Sequence, residues 1–267
     1  MLGIFFLLVW VTVIAALTSH DRASRARLLL PGQVDDEFKG ALMRHDHAQL
    51  ARYYRIVLSR SLPSRDEQLI RINLACALNG LGDHTEALEE LDRVSLSELQ
   101  PSEVALWLNN RAYTLAFLGR ADDALDNLTD ADELMAGDDT LSRDPLLAAC
   151  ISGTRGIAYY NKGDLDAAEK ALLLALRQEE DGVAMQFDPE WQVDPARTAE
   201  RWFWLGEIAR TRSDLAEARR RYERASAHSV TEFGIRAKKS LTALLEPASA
   251  PRGILPAAAP KPVKSSA

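Results

Sequence analysis

The stretch RWFWLGEIARTRSDLAEARRRYERAS, residues 201–226, decides the fold. Apolar residues recur at helical spacing on both sides of Ser213-Asp214, a pair that is typical of a turn. Gly206 and Ala218 are small, which two helices require where they cross closely. The stretch therefore predicts a hairpin of two packed helices.

The same pattern returns upstream. A Gly-Asp-like turn is followed five residues later by alanine, at Gly82 to Ala87, Gly119 to Ala124, Gly163 to Ala168 and, with Ser in place of Gly, Ser213 to Ala218. A small residue precedes each turn, at Ala75, Ala112, Gly156 and Gly206, and a large apolar residue follows each alanine by four, at Leu91, Leu128, Leu172 and Tyr222. The successive alanines are 37, 44 and 50 residues apart. Such recurrence predicts a repeat array with a basic period of about 34 residues and insertions.

The spacing Trp202, Leu205, Gly206 and then Ala218, Tyr222, Ala225 resembles the tetratricopeptide repeat (TPR) family, whose units are helix-turn-helix hairpins. The resemblance implies an all-α fold: a right-handed α-solenoid of four clear TPR hairpins, one degenerate N-terminal hairpin and a C-terminal capping helix. The expected units are residues 32–62, 68–101, 105–138, 145–182 and 195–232, with the cap at 230–245. Together they form an array over residues 32–246, in which 181–194 is the one long connection.

In this family the first helices of successive units line a concave groove. Carried onto this sequence, the groove positions for a protein or peptide partner are Asn73, Asn109, Asn110, Tyr113, Thr154, Ile157, Asn161, Phe203, Trp204 and Glu207. Amide side chains can pair with both the N–H and the C=O of an extended peptide, and aromatic rings supply rigid contact area. The alternative, that Asn109 and Asn110 are merely tolerated on a solvated face, stays open at this point.

The N-terminal segment predicts localisation. Met1 to Leu17 is uninterruptedly apolar, and Arg22, Arg25 and Arg27 follow it. We interpret residues 1–18 as a single-pass membrane anchor and 19–31 as a basic juxtamembrane linker, with the repeats in the cytoplasm by the positive-inside tendency. A cleaved signal peptide is the alternative, although no basic residue precedes the run. The Pro- and Ala-rich residues 247–267 are predicted to be disordered.

Composition and motifs exclude several classes of protein. The net charge of -7 argues against a nucleic-acid partner, and two cysteines cannot form a disulfide framework. His45-Asp46-His47 lacks a third ligand at metal spacing, and no phosphate-binding glycine loop or G-x-S-x-G motif occurs. We therefore expect no enzyme activity, no metal and no cofactor.

An anchor joined to repeats without catalytic chemistry predicts a membrane-anchored scaffold or adaptor that mediates protein-protein interaction through its concave groove. Two alternatives remain open. The chain is either an exported periplasmic repeat protein, or a structural module that self-assembles into a homo-oligomer.

Overall fold

The computed structural model describes residues 44–184 and 195–245, together with 38, 40 and 41. These residues form ten α-helices and two short 3-10 turns, Leu96–Glu98 and Leu141–Arg143. The helices are α1 His47–Leu58, α2 Ser64–Leu81, α3 His84–Asp92, α4 Pro101–Phe117, α5 Ala121–Ala136, α6 Pro145–Lys162, α7 Leu165–Ala184, α8 Pro195–Thr211, α9 Leu215–Ser226 and α10 Glu232–Leu245.

The helices pack as consecutive hairpins. The pairs are α2 with α3, α4 with α5, α6 with α7 and α8 with α9, while α1 packs on α2 and α10 packs on both helices of the last pair. The first helices α2, α4, α6 and α8 also contact one another in sequence, so each hairpin stacks on the previous one. The predicted all-α solenoid of hairpins is confirmed.

The turn of each hairpin requires a left-handed backbone conformation at one residue. Gly82, Gly119 and Gly163 have φ of 79°, 77° and 87°, and Ser213 has φ of 63° at the equivalent place. Glycine adopts this conformation without steric penalty, which explains why it marks three of the turns. The aspartates that follow the last two turns cap the next helix: Asp164 accepts from the Ala167 N–H and Asp214 accepts from the Glu217 N–H, each at 3.0 Å.

Small residues set how closely the two helices of a hairpin approach. A Cβ built on Gly156 would lie 2.5 Å from Leu172 Cγ, and one built on Gly206 would lie 2.5 Å from Tyr222 Cε1. Leu172 and Tyr222 are themselves fully buried, as are Ala168 and Ala218. The missing side chain on the first helix therefore makes room for the large residue on the second.

Arginines join each hairpin to the one before it. Arg111 on α4 contacts Asp92 at the end of α3 at 3.0 Å, and Arg155 on α6 donates to Asp132 on α5 at 2.6 Å and to the Leu128 carbonyl at 3.1 Å. The interior between the hairpins is packed mainly by aliphatic and aromatic side chains. Stacking thus combines an apolar interior with polar contacts at the edge between units.

Several expectations fall partly or wholly outside the described residues, among them the degenerate N-terminal hairpin at 32–62, of which residues 32–37, 39, 42 and 43 are not described. The anchor and linker at 1–31 and the tail at 247–267 lie outside them, and so do residues 185–194 of the long connection. Residues 181–184 are not part of that connection, because α7 continues to Ala184. Within the described part of the chain, none of the helices combines the length and the apolar character needed to cross a bilayer.

Candidate binding cavity

The inner face of the array forms a half-open cavity of about 380 Å³. Its walls are the first helices α2, α4, α6 and α8, whose side chains recur there at spacings of three and four residues. Arg44, His45 and His47, ahead of and at the start of α1, border the cavity, and so do residues 230–233 at the start of α10. Elements from both ends of the described array therefore meet at one site.

Six of the ten predicted groove residues line this cavity. They are Asn73 on α2, Asn109, Asn110 and Tyr113 on α4, and Thr154 and Ile157 on α6. The structure thus brings together the predicted residues of the first three clear hairpins. Their role in binding a partner stays a prediction.

The other four predicted residues lie elsewhere. Asn161 donates to the Ala116 carbonyl at 2.9 Å outside the cavity, and Glu207 accepts from the Tyr222 hydroxyl and so joins α8 to α9. Phe203 and Trp204 are buried in the core, with ring centroids 5.4 Å and 6.2 Å from Phe233 of α10. Phe203 and Trp204 do not line the cavity, because the capping helix covers this part of the inner face of α8.

The cavity face of α8 lies one to two turns earlier, at Ala196, Arg197, Glu200 and Arg201. A signal for this was present in the sequence, because Asp194-Pro195 is typical of a helix start and places an extra turn before the repeat motif. Arg197 donates to Cys150 Sγ at 3.0 Å. Arg201 is buried and forms an ion pair with Glu179 of α7.

Glu200 and Glu232 are the acidic residues that line the cavity, and Glu200 lies on α8. Its carboxylate accepts from the Tyr113 hydroxyl at 2.8 Å, which links α8 to α4 across 87 residues of sequence. Burial raises the pKa of Glu200 to about 7, and the nearby Glu232 adds to this effect, whereas the Tyr113 hydrogen bond and Arg201 oppose it. The carboxyl group is therefore poised to change its charge near neutral pH.

The unpaired amide atoms of the cavity are its most informative feature. Asn73 Nδ2 and Asn109 Oδ1 are buried and have no hydrogen-bond partner among the described residues, and Asn110 Nδ2 has only the Cys76 thiol, a weak acceptor, beside it. Asn79, which also lines the cavity, is satisfied by contrast, since its Nδ2 donates to Thr114 Oγ1 at 2.9 Å. A buried amide group without a partner is unfavourable by about 1–3 kcal/mol unless a ligand or solvent satisfies it.

The two cysteines of the wall are poor nucleophiles. Burial raises the pKa of the Cys76 thiol to about 12 and also raises that of Cys150, while Arg197 opposes both shifts. Thiols with raised pKa values stay protonated and unreactive. Within the ranges that the structure describes, no group of three or more His, Cys, Asp or Glu side chains could hold a metal ion. The arrangement is that of a largely apolar cavity with a few buried polar groups in its wall.

Among solved structures, the chain is similar to the MamA RS-1 ArsTM double mutant, at 15% identity and a TM-score of 0.40, over 77% of this chain and 93% of that chain. It is also similar to BtubC (BKLC) from P. vanneervenii, at 20% identity and a TM-score of 0.48, over 85% of this chain and 84% of that chain. None of the curated proteins compared with the chain matches it. Residues 153–181 match the family described as tetratricopeptide repeat, so this chain contains a tetratricopeptide repeat in the hairpin of α6 and α7.

Proposed function

We propose that this chain is a membrane-anchored adaptor, which binds a short protein segment in the cavity of its repeat array and performs no chemistry on it. Stacked helical repeats serve as protein-interaction surfaces, and the tetratricopeptide repeat at 153–181 supports that class of function. Residues 1–18 would hold the array at the membrane, with the repeats on the cytoplasmic side.

One observation carries the binding part of the proposal. Asn73 and Asn109 leave buried amide atoms unpaired toward a single cavity, one a donor and one an acceptor, and the Asn110 donor beside them has only a weak acceptor. A peptide backbone offers both carbonyl acceptors and N–H donors, so it can satisfy this set. The aromatic ring of Tyr113 and the side chain of Ile157 add apolar contact area beside the amides.

A capture experiment tests the binding part. The variant Asn73→Ala/Asn110→Ala removes two of these amides, and we expect it to retain its helical circular dichroism while losing most of the partner recovered in a pull-down. The matched control is Leu173→Ala/Leu174→Ala, which truncates two exposed side chains of α7 away from the cavity and should leave recovery unchanged. Full recovery of the partner by the amide variant would show that these amides, and the cavity they line, do not bind it.

Fractionation tests the anchoring part. The full chain should remain in the membrane pellet after alkaline carbonate extraction, and deletion of residues 2–17 should release it. N-terminal sequencing of the mature protein then separates the anchor from the exported alternative. Loss of the apolar run would mean that the segment is a cleaved signal peptide and that the adaptor is not anchored.

A further inference from the structure

The wall of the cavity contains two buried amide atoms that the described residues leave without a partner. Asn73 is 3% exposed and Asn109 is 5% exposed, and both side chains line the cavity. The atom without a partner is a donor at Asn73, the Nδ2, and an acceptor at Asn109, the Oδ1. A ligand that satisfies both atoms therefore needs one acceptor and one donor of its own.

The repeat register places these two side chains at about the same level of neighbouring helices. Asn73 lies two residues before the small residue Ala75 of α2, and Asn109 lies three residues before the equivalent Ala112 of α4. The helices α2 and α4 pack against each other, and successive repeats share one local geometry. One small ligand can therefore reach both amides.

The arginines of the same wall already interact with other groups of the protein. Arg201 is buried and pairs with Glu179. Arg44 donates to Gln49 at 3.3 Å, and Arg197 also has interactions within the chain. An anionic ligand would have to displace existing contacts of these guanidinium groups, which is unfavourable in a partly desolvated site.

The other titratable groups of the wall do not require a charged ligand either. Glu200 accepts from the Tyr113 hydroxyl at 2.8 Å, and burial raises the pKa of Glu200 to about 7. Glu232 pairs with Arg236 at 3.4 Å. Burial lowers the pKa of His47, which favours its uncharged ring. The ligand that fits this wall best is therefore uncharged.

Apolar side chains make up much of the remaining wall. Tyr54 on α1, Ile157 on α6 and Phe233 on α10 are buried and line the cavity. A mostly apolar cavity with a few fixed polar groups is typical of small-molecule sites. The volume of about 380 Å³ also lies within the range of such sites, roughly 300–1,000 Å³.

We propose that the cavity is a binding site for an uncharged small molecule that carries an amide group on an apolar body. The amide carbonyl accepts from Asn73 Nδ2, and the amide N–H donates to Asn109 Oδ1. The apolar body lies against Ile157 and Phe233. Both buried amide atoms then gain a partner, which removes the unfavourable contribution that each makes in the empty cavity.

This inference goes beyond the proposed adaptor function, because its ligand is a free small molecule. Such a molecule and a bound protein segment would both use Asn73, so they would compete for the cavity. The concentration of the small molecule would then set how much of the protein partner the array holds.

Thermal unfolding of the purified full chain in detergent tests the proposal with matched probes. Benzamide, phenylacetamide and isobutyramide each carry a primary amide on an apolar body. At roughly ten times its Kd, a bound probe should raise Tm by about 3–5 °C. Acetophenone keeps the carbonyl but lacks the N–H group, benzoate is anionic and benzylamine is cationic. At the same concentration these three should leave Tm unchanged.

Variants of similar side-chain size assign the rise to the two amides. Asn73→Leu and Asn109→Leu should retain the helical circular dichroism and lose the rise that benzamide causes. The matched control is Asn127→Leu on α5, outside the cavity wall, where the amide donates to the Asp123 carbonyl at 2.7 Å and accepts from Arg111 at 3.2 Å. This control should lower Tm in the absence of a probe, because it loses both hydrogen bonds, and should keep the rise.

The proposal is overturned if none of the three amides raises Tm, or if acetophenone, benzoate or benzylamine raises it as much as benzamide does. It is also overturned if either leucine variant of the cavity keeps the full rise. A blocked tetra-alanine peptide is a further probe. If this peptide raises Tm and no small amide does, the ligand is a peptide and the small-molecule proposal is wrong. None of these outcomes depends on the recovery of a protein partner, so failure here leaves the adaptor proposal to its own test.

Discussion

At Gly156 the absence of a side chain sets the distance between α6 and α7. The nearest atoms to a Cβ at this position would be Leu172 Cγ at 2.5 Å, Leu172 Cδ2 at 2.8 Å and the Ala168 carbonyl oxygen at 3.2 Å. Leu172 is fully buried, so it has little room to rotate away. A methyl group added at Gly156 would therefore force α6 and α7 apart.

We expect Gly156→Ala to lower the free energy of unfolding by about 1–3 kcal/mol, as overpacking of a filled core does. Gly137→Ala is the matched control, because its Cβ would lie no closer than 3.5 Å to the nearest backbone atom and its φ of -79° suits alanine. That change should be neutral or stabilising by up to about 1 kcal/mol. Urea unfolding followed by circular dichroism measures both, and equal stabilities for the two variants would contradict the close approach of α6 and α7.

Titration of Glu200 should make the free energy of unfolding depend on pH. Its pKa is about 7 in the folded protein against an ordinary value of 4.5, so between these values the folded chain holds a proton that the unfolded chain has released. The stabilisation from this group is complete below the unfolded pKa and is lost as pH rises through 7. Tyr113, Arg201, Trp204 and Glu232 are the groups that face it.

Glu200→Gln mimics the protonated carboxyl group at every pH. From about pH 5 to about pH 8, the wild-type free energy of unfolding should fall by about 1–2 kcal/mol more than that of the variant, a value reduced from the full linkage because the cavity admits solvent. Denaturant titrations at both pH values supply the comparison. Parallel profiles for the two proteins would mean that Glu200 stays ionised in the folded state.

At the residue scale, the sequence locates cavity-lining positions where a position repeats and does not locate them elsewhere. Asn109, Asn110 and Tyr113 follow directly from the register of the repeat on α4, and they line the cavity. Arg197 and Glu200 lie before the first residue of the repeat motif in the last hairpin. The repeat pattern therefore makes no prediction about them. Trp204 has the correct register, but Phe233 of the capping helix packs against it.

At the scale of elements, one buried ion pair joins three helices. Arg201 of α8 pairs with Glu179 of α7, and its Nη2 donates to the Ala149 carbonyl of α6 at 2.9 Å. Both side chains are almost completely buried, at 4% and 3% exposed. The contact therefore fixes the last hairpin against the one before it.

Removing one partner should leave an uncompensated charge in the core. We expect Glu179→Ala to lower the free energy of unfolding by about 3–5 kcal/mol, and Glu179→Leu/Arg201→Met to recover most of this loss because it replaces the pair with apolar groups. Guanidinium chloride unfolding of the two variants gives the comparison. If the double variant were as unstable as the single one, a role of the pair beyond charge compensation would be required.

The hairpins and their turns could be predicted because each has a local cause. Gly82, Gly119 and Gly163 mark left-handed turns in the sequence itself, and even Ser213 was identified from its place before Asp214. The end of α7 could not be located in this way. The helix continues past the acidic run at 179–181 and through Gly182 to Ala184.

At the scale of the whole molecule, the array curves until its two described ends border one cavity. Residues 44–47 and 230–233 lie almost the full length of the array apart in sequence, and the Tyr113 to Glu200 hydrogen bond spans the inner face. Curvature of this kind depends on small rotations between successive hairpins, which sum over the stack. The total rotation cannot be read from the sequence of one repeat. The sequence therefore predicts a concave groove, but not that both ends of the array border one cavity.

Site-specific photocrosslinking in native membranes tests the central claim, that the cavity is where a protein partner binds. Val230 borders the cavity and is 86% exposed, so p-benzoylphenylalanine can replace it without disturbing the core, and Leu215, 55% exposed at the start of α9 and outside the cavity wall, is the matched position. We predict a discrete protein adduct from position 230 that disappears in the Asn73→Ala/Asn110→Ala background, and no such adduct from position 215. The same adducts from both positions, or an adduct at 230 that survives loss of the two amides, would contradict the account.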